Sequence, residues 1–360
     1  MQQANLKFME IIWEITGKCN NGCSYCGSKD LWKETVDEEI ILSIADRISV
    51  YPPAAIDISG GDPLLVSYNT HKYITELLKG VGTQVKILVN PKSLKVYSSE
   101  VSSKVDILKL YNWIGLSVNT EDELKMATHF SKDFPTLGIT IITNFNTGNL
   151  YMFDYLKKFV KSKSYAWQIQ LTMTDDESAI YKNDLSLDSL FSKIQEAIDE
   201  NVNVIPADNL NAGQCGAGTS ILGLLCNGDV VPCLSMRSWK KDISSVVEGN
   251  IIETSLRTIW EDGFREQRFS DFYCCKDECG NKCFKAKPKL NINDIFKQSP
   301  TSREYPYKHS QRMLYGVSPN DYSDRVMTYA VSPGLPHMVY GVHFNTSGTS
   351  ISNTIDDQEK

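Results

Sequence analysis

The sequence predicts an α/β fold, in which a partial (β/α)6 TIM-like barrel is followed by a small cysteine-rich domain. Short apolar strand patterns alternate with helical patterns through the first 205 residues, which is typical of a parallel sheet. After Leu210 this rhythm stops and cysteines become frequent. Because six strand–helix units are fewer than a closed barrel contains, we expect an open one.

Six short segments are predicted as strands, since they are rich in isoleucine, valine and leucine, as buried parallel strands are. They are Met9–Thr16, Ala55–Ser59, Gln84–Val89, Ile114–Val118, Gly138–Asn144 and Ala166–Thr172. Helices are predicted between them, and two capping boxes mark helix starts. One box is Thr35 with Glu38, and the other is Thr120 with Glu123.

Composition divides the chain into four parts. We expect the barrel to cover residues 1–210 and the second domain residues 211–290. Within the second domain, two apolar runs flank Asn227-Gly228, which predicts a β-hairpin. Residues 291–345 show no clear period and are an unassigned extension, and residues 346–360 have the composition of a disordered tail.

The charge and the apolar runs restrict the class of partner. The net charge is −7, and nucleic-acid binders usually need basic surface, so we expect no nucleic-acid partner. No apolar run approaches the roughly 20 residues that span a bilayer, and the N-terminus lacks the basic start and cleavage site of a signal peptide. We therefore expect a cytoplasmic protein with no membrane partner.

The chain has ten cysteines, which fall into three groups. Cytoplasmic thiols stay reduced, so this grouping favours metal ligation over disulfides. The first group, Cys19, Cys23 and Cys26, comes directly after the first predicted strand. Zinc sites and ordinary [4Fe–4S] sites take a fourth ligand that this loop lacks, which leaves one metal position open for a reactant. A zinc knuckle or three buried thiols are the structural alternatives.

A glycine motif and three polar residues follow other predicted strands. Ser59–Pro63, SGGDP, ends the second strand, and its glycines would let the backbone approach a ligand closely. An ordinary Gly-Pro turn is the alternative. Ser117 and Asn119 end the fourth strand and Asn144 ends the fifth, where strand-end caps are the alternative. Because parallel strands present their carboxyl ends at one rim, we expect these residues to meet the cysteine loop.

The loop Cys19–Cys26 is identified as the CxxxCxΦC signature of the radical S-adenosylmethionine enzymes, with Tyr25 in the aromatic position. This resemblance implies that its three cysteines hold a [4Fe–4S] cluster whose open iron binds S-adenosylmethionine. It also implies a low-potential electron donor, such as flavodoxin or ferredoxin, as a partner. The 5′-deoxyadenosyl radical formed in this family abstracts hydrogen from a substrate.

Other rim residues resemble further motifs of the same family. SGGDP is similar to the GGEP motif that contacts the methionine amino group, although Asp62 is one methylene shorter than the usual glutamate. Ser117 and Asn119 resemble the family position that binds the ribose and carboxylate, and Asn144 is similarly placed. The cofactor-binding residues that the resemblance implies are Tyr25, Gly60, Gly61, Asp62, Pro63, Ser117, Asn119 and Asn144.

The later cysteines resemble those of SPASM and twitch domains. Gly228 and Cys233 satisfy the G-x4-C step of these domains, but Cys274 and Cys275 are adjacent and no cysteine follows Cys283. The resemblance therefore implies one auxiliary [4Fe–4S] cluster, with a second, incompletely ligated cluster or a structural zinc site as alternatives. Cys226 is interpreted as a buried apolar residue. The implied ligands are Cys215, Cys233, Cys279 and Cys283, with Cys275 or Cys274 as replacements.

SPASM and twitch relatives often modify peptides, so the resemblance implies an enzyme that removes hydrogen from a peptide or protein side chain. Twitch-type oxidation of a small molecule is the enzymatic alternative, since no leader-peptide-binding domain is recognised before the first strand. An iron–sulfur electron carrier or a zinc-stabilised binding protein is the non-enzymatic alternative, which needs no SGGDP rim. No catalytic acid or base is assigned, because Leu234 stands where some relatives carry a carboxylate.

Overall fold

The computed structural model describes residues 10–23, 26, 28, 36–94, 100–133, 138–172, 184–207, 216–235, 243–264, 327–330 and 341–344. The strands are β1 (Glu10–Glu14), β2 (Ala55–Ser59), β3 (Gln84–Val89), β4 (Trp113–Ser117), β5 (Ile139–Phe145), β6 (Ala166–Leu171), β7 (Val204–Pro206), β8 (Ile221–Leu224), β9 (Asp229–Val231), β10 (Gly249–Asn250), β11 (Met327–Ala330) and β12 (Gly341–Phe344). The helices are α1 (Glu38–Val50), α2 (Tyr68–Gly80), α3 (Glu100–Lys109), α4 (Glu121–Asp133), α5 (Phe153–Lys163), α6 (Asp184–Asp199) and α7 (Leu256–Asp262).

The first ten strands form one sheet in the order β10-β9-β8-β1-β2-β3-β4-β5-β6-β7. Strands β1 to β7 are parallel and adjacent in chain order, each pair joined through a helix or a helix-containing segment. Crossovers between such strands are almost always right-handed, which places all of the helices on the same face of the sheet. The sheet of the described residues ends at β7 and β10, so the predicted open, partial barrel is confirmed.

The core lies between the sheet and its helices. Along β2 the side chains alternate, with Ile56 and Ile58 fully buried and Ala55, Asp57 and Ser59 only partly buried. On α1 the buried residues Ile41, Ile44 and Ile48 recur at helical spacing and join the same apolar cluster. The partly buried strand positions therefore belong to the opposite face, which carries polar residues near the predicted site.

The six predicted strands are all present, with ends that differ from the predictions by at most two residues. The predicted hairpin around Asn227-Gly228 is confirmed, since β8 and β9 pair antiparallel across it. Strand β7 was not predicted, because a run of three residues carries too little periodicity to recognise. Both β7 and the hairpin extend the sheet beyond the six predicted units.

One of the two capping boxes is wrong and the other is confirmed. Helix α1 is capped by Asp37, whose carboxylate accepts from the N–H of Glu39, while Thr35 lies outside the described residues. At α4, Thr120 Oγ1 accepts from the N–H of Glu123 at 3.3 Å, and Glu123 Oε2 accepts from the N–H of Thr120 at 3.1 Å. The α1 prediction failed because an aspartate nearer the helix competes for the cap position.

The hairpin of the predicted second domain is hydrogen-bonded to the barrel. Strand β8 pairs parallel with β1, in the register Glu10 with Ile221 and Trp13 with Leu224. The division at residues 210 and 211 stays a prediction. In residues 291–345, β11 and β12 pair antiparallel as a separate two-stranded ribbon, and the predicted tail at 346–360 lies outside the described residues. No helix in the described ranges is long and apolar enough to cross a membrane.

Candidate active site

The cysteine loop leaves the carboxyl end of β1, as predicted. Cys19, Cys23 and Cys26 are partly exposed, while Tyr25 lies outside the described residues. At the end of β1, the buried carboxylate of Glu14 accepts a hydrogen bond of 2.7 Å from the Ser28 hydroxyl. This bond ties the far end of the loop to the sheet, so all three thiols stay near the rim.

Each of the three sulfurs receives an N–H donor. The N–H of Asn21 points at Cys19 Sγ at 3.4 Å, and the N–H of Ser28 points at Cys26 Sγ at 3.3 Å. The side-chain amide of Asn90 donates to Cys23 Sγ at 3.6 Å. Iron–sulfur clusters are held by thiolates, and hydrogen bonds to their sulfurs set the reduction potential.

The three thiols fit an iron–sulfur cluster better than a single ion. In the described part of the chain, no three His, Cys, Asp or Glu side chains converge closely enough to hold one metal ion. A [4Fe–4S] cluster instead takes its cysteines on different irons, so its thiolates need not meet at one point. The donor set of Cys19, Cys23 and Cys26, each with an N–H donor, therefore fits a cluster site.

Cys19 lies close to two other acidic groups of the site. Burial is the main cause that raises the pKa of the Cys19 thiol, and the N–H of Asn21 opposes this effect. The nearby Asp62 carboxyl and Cys26 thiol raise it further by charge repulsion. A bound metal would reverse this balance, because a coordinating thiol is deprotonated outright.

The two glycines of SGGDP lie directly against the backbone of residues 16–18, which leads from β1 into the cysteine loop. The N–H of Gly61 donates to Thr16 O at 2.7 Å, and the N–H of Asp62 donates to Lys18 O at 2.8 Å. A Cβ on Gly60 would lie 2.6 Å from Thr16 O, and one on Gly61 would lie 2.4 Å from Lys18 O. The glycines are therefore required for the contact between the two loops, whatever ligand they also approach.

Asp62 is buried and its carboxylate serves the turn that it begins. One oxygen accepts from the N–H of Leu64 at 3.1 Å, which caps the 3-10 turn Pro63–Leu65. Burial raises the pKa of this carboxyl, and a hydrogen bond from Ser93 opposes that effect. Ser93 also accepts from the Asn21 side chain at 2.8 Å, so it links Asp62 to the cysteine loop. Contact of Asp62 with the methionine amino group stays a prediction.

The structure brings Ser117, Asn119 and Asn144 together at the ends of β4 and β5. Asn119 Nδ2 donates to Ser117 Oγ at 3.0 Å, and its Oδ1 accepts from the N–H of Asn144 at 2.6 Å. The side chain of Asn149 donates to the backbone carbonyls of both Asn119 and Asn144. These bonds hold the three predicted rim residues in one network, and their role in cofactor binding stays a prediction.

Sequence reasoning missed Glu123 as a residue of the site. It was recognised only as a capping residue, yet its side chain is 0% exposed and also accepts from Asn90 Nδ2 at 2.8 Å. Lys92 Nζ lies 3.5 Å from the same carboxylate oxygen. The only signal in the sequence was the capping box itself, which lies close to Asn119. A capping pattern does not reveal whether the carboxylate also contacts a residue beside the cysteine loop.

A largely buried charge cluster lies on the polar face of the sheet, farther from the carboxyl ends of the strands than the cysteine loop is. Lys86 on β3 forms ion pairs with Asp57 on β2, at 2.9 Å, and with Glu10 on β1. Burial raises the pKa of Asp57 to about 7, with Lys86 opposing this shift and Glu10 adding to it. The sequence did not predict this triad, because its members are distant in the chain and meet only through strand register.

The auxiliary cysteines are only partly within the described residues. Strand β9 runs antiparallel to β8, so Cys233, which follows β9, lies toward the amino end of β8. Gly216, which follows Cys215 in the chain, lies at the same end, because its carbonyl accepts from the N–H of Ile221. Cys226 is 4% exposed, which agrees with its interpretation as a buried residue. The other predicted ligands lie outside the described residues: Cys215, Cys275, Cys279, Cys283 and the replacement Cys274.

Two sequence comparisons agree with the motifs. Residues 215–284 match the SPASM family, an iron–sulfur cluster-binding domain. Over 118 residues the chain is 28% identical to an S-adenosylmethionine-dependent nucleotide dehydratase of Thermoplasmatales archaeon (strain ISO4-H5). That match covers 32% of this chain and spans 40% of the length of the archaeal protein.

Solved structures share the fold. SuiB of Streptococcus suis is similar with a TM-score of 0.56 at 14% identity, covering 74% of this chain and 68% of its own. The enzyme anSMEcpe, with bound AdoMet and a Cp18Cys peptide, is similar with a TM-score of 0.53 at 15% identity, covering 71% of this chain and 80% of its own. At these identities the likeness is one of fold.

The fold, the three-cysteine loop and the S-adenosylmethionine-dependent relative agree with the resemblance to radical S-adenosylmethionine enzymes. The match over residues 215–284 adds a SPASM iron–sulfur cluster-binding domain after the partial barrel.

Proposed function

We propose that Cys19, Cys23 and Cys26 hold a [4Fe–4S] cluster with an open iron for S-adenosylmethionine, and that the enzyme abstracts hydrogen from its substrate through the 5′-deoxyadenosyl radical. When bound, the cluster supplies the electron that cleaves S-adenosylmethionine. The observation that carries the proposal is that all three sulfurs have N–H donors on a rim shared with SGGDP. A flavodoxin or ferredoxin is the proposed electron donor.

The residues of the chain hold the reactants in place. Gly60 and Gly61 bring the backbone of the SGGDP turn against the cysteine loop, which positions its carbonyls for the methionine ammonium. Asn119 and Asn144, held by Asn149, supply amide groups for the ribose and carboxylate. Tyr25 and Ser117 complete the proposed binding rim.

We assign the auxiliary cluster to Cys215, Cys233, Cys279 and Cys283, with Cys275 or Cys274 as replacement ligands. The SPASM match over residues 215–284 spans all of them and supports this assignment. One auxiliary cluster is proposed, and a second is the alternative. Residues 1–210 would then form the barrel and residues 211–290 the cluster domain.

A peptide or protein side chain is the proposed substrate. SuiB has been solved bound to the precursor peptide SuiA, with a TM-score of 0.53 to this chain, and anSMEcpe with its Cp18Cys peptide. A nucleotide is the second candidate, because the sequence relative is a nucleotide dehydratase. Twitch-type oxidation of a small molecule stays a further enzymatic alternative.

The test of the proposed chemistry is anaerobic reconstitution with iron and sulfide, followed by dithionite and S-adenosylmethionine. We expect 5′-deoxyadenosine from the wild type and from Cys226→Ala, whose buried thiol lies outside the loop, and none from Cys23→Ala. Equal yields from Cys23→Ala and the wild type would rule the proposal out. Iron analysis separates about eight irons per chain, for one auxiliary cluster, from about twelve, for two.

The substrate class can be tested in the same assay. Peptides encoded beside the gene and the common nucleoside triphosphates would be added separately, with deuterium at candidate positions. Transfer of deuterium into 5′-deoxyadenosine from a peptide supports the peptide proposal, and transfer from a nucleotide contradicts it.

A further inference from the structure

The side chain of Asn90 uses both ends of its amide at the cysteine loop. Its Nδ2 donates to Glu123 Oε1 at 2.8 Å and to Cys23 Sγ at 3.6 Å. Its Oδ1 accepts from the N–H of Lys92 at 2.9 Å. Both amide hydrogens and the carbonyl are therefore engaged, so the orientation of the amide is defined by its three neighbours.

Glu123 determines which end of that amide faces the sulfur. Its carboxylate is fully buried and can only accept hydrogen bonds. Its other oxygen accepts from the backbone N–H groups of Asn119, at 2.7 Å, and Thr120, at 3.1 Å, so the carboxylate cannot turn away. If the Asn90 amide were reversed, its oxygen would face the carboxylate and the Cys23 sulfur, which is electrostatically unfavourable.

We propose that Glu123 is a positioning residue that holds the Asn90 amide as a donor to Cys23 and thereby raises the reduction potential of the cluster. An N–H donor stabilises the extra negative charge of the reduced state, so its loss makes reduction harder. Glu123 also links this donor to the N–H of Asn119, so the cysteine loop and the proposed S-adenosylmethionine rim share one buried carboxylate. The inference rests on the proposed function of the cysteine loop.

The test measures reduction potentials by electron paramagnetic resonance during redox titration of the reconstituted 360-residue chain. The signal that changes when S-adenosylmethionine is added belongs to the cluster of Cys19, Cys23 and Cys26, and signals that do not respond serve as an internal reference. We expect Asn90→Ala and the bulkier Asn90→Leu to shift the responsive signal to a more negative potential. Asn112→Ala is the matched control, because Asn112 bonds the opposite end of β3 through the N–H of Val85.

Glu123→Gln distinguishes the effect of Glu123 on the orientation of Asn90 from the effect of its negative charge on the reduction potential of the cluster. Removing a nearby negative charge would by itself raise the potential of the cluster. In Glu123→Gln the side-chain oxygen keeps the N–H donors of Asn119 and Thr120, so the NH2 group faces Asn90. If Glu123 positions Asn90, the Asn90 amide then reverses and turns its oxygen toward Cys23. The reduction potential of the cluster therefore falls instead. A rise or no change in Glu123→Gln would overturn the positioning role, and unchanged potentials in both Asn90 variants would overturn the whole inference. A wild type without a signal that responds to S-adenosylmethionine would instead refute the proposed function.

Discussion

His71 Nε2 donates a hydrogen bond to the carbonyl of Pro63 at 2.9 Å, and this bond fastens helix α2 to the SGGDP turn. The other ring nitrogen, Nδ1, accepts from the hydroxyl of Tyr111. All of the His71 side chain is buried, so the imidazole joins the turn to the segment before β4 without contact with water. Because Pro63 belongs to the proposed binding rim, these two hydrogen bonds of His71 hold part of the rim in place from the core of the protein.

We expect His71→Phe to destabilise the protein by about 2–4 kcal/mol, since it leaves a buried carbonyl and a buried hydroxyl without their partner. The phenylalanine keeps the ring volume, so the loss reports the hydrogen bonds. Urea denaturation of the variant gives the free energy of unfolding. His129→Phe, on the exposed face of α4, is the control and should differ from wild type by less than about 0.5 kcal/mol. Equal losses in the two variants would contradict the support role of His71.

The same histidine predicts a pH dependence of stability. Burial lowers the pKa of His71 to about 4, from an ordinary value of 6.5. Between these values the unfolded chain binds a proton that the folded protein does not, so the free energy of unfolding falls as the pH falls from about 6.5 to about 4. The contribution of this one group is at most about 3 kcal/mol. Urea titrations of wild type and His71→Phe across this range should diverge in slope, and parallel slopes would disprove the assignment.

Gly61→Ala should disrupt the contact between the SGGDP turn and the cysteine loop. Its Cβ would lie 2.4 Å from the carbonyl oxygens of Gly17 and Lys18, which are backbone atoms that cannot move independently. We expect a loss of about 2–4 kcal/mol in unfolding free energy, together with reduced iron incorporation at the loop. Gly80→Ala, where nothing lies within 4 Å of the added Cβ, is the control and should stay within about 1 kcal/mol of wild type. A Gly61→Ala protein with wild-type iron content would contradict the close packing.

Lys86→Met should be more damaging than loss of a surface lysine. It would leave two acidic side chains close together without their cation. The side chain of Glu10 is only 17% exposed and that of Asp57 only 13%. Removing one partner of a buried ion pair leaves an uncompensated charge, so we expect a loss of about 2–4 kcal/mol. Thermal and urea unfolding measure it.

Lys157→Met is the matched control for the Lys86 prediction. Lys157 also pairs with two carboxylates, but those of Glu196 and Glu200 are 58% and 38% exposed. Water can solvate these carboxylates once the lysine is gone, so we expect a loss of about 1 kcal/mol or less. A larger loss from Lys157→Met than from Lys86→Met would show that burial does not decide the strength of these clusters.

The sequence by itself predicted the class of protein proposed here, because that information is local. The spacing of Cys19, Cys23 and Cys26, the SGGDP turn and the strand rhythm are all readable within short windows of the chain. The rim position of these motifs also followed, since consecutive parallel strands bring their carboxyl ends to one edge. The strand ends were predicted to within two residues for the same reason.

Only the tertiary structure decided which distant residues support these motifs. Asn90 and Glu123 are 33 positions apart, and they meet at Cys23 because the ends of β3 and β4 are adjacent in the sheet. The requirement for glycine at position 61 likewise comes from the backbone of the cysteine loop, which no pattern in SGGDP reveals. Contacts between strands depend on register and on packing in three dimensions, so a motif tells which residues face a ligand but not which residues hold them there.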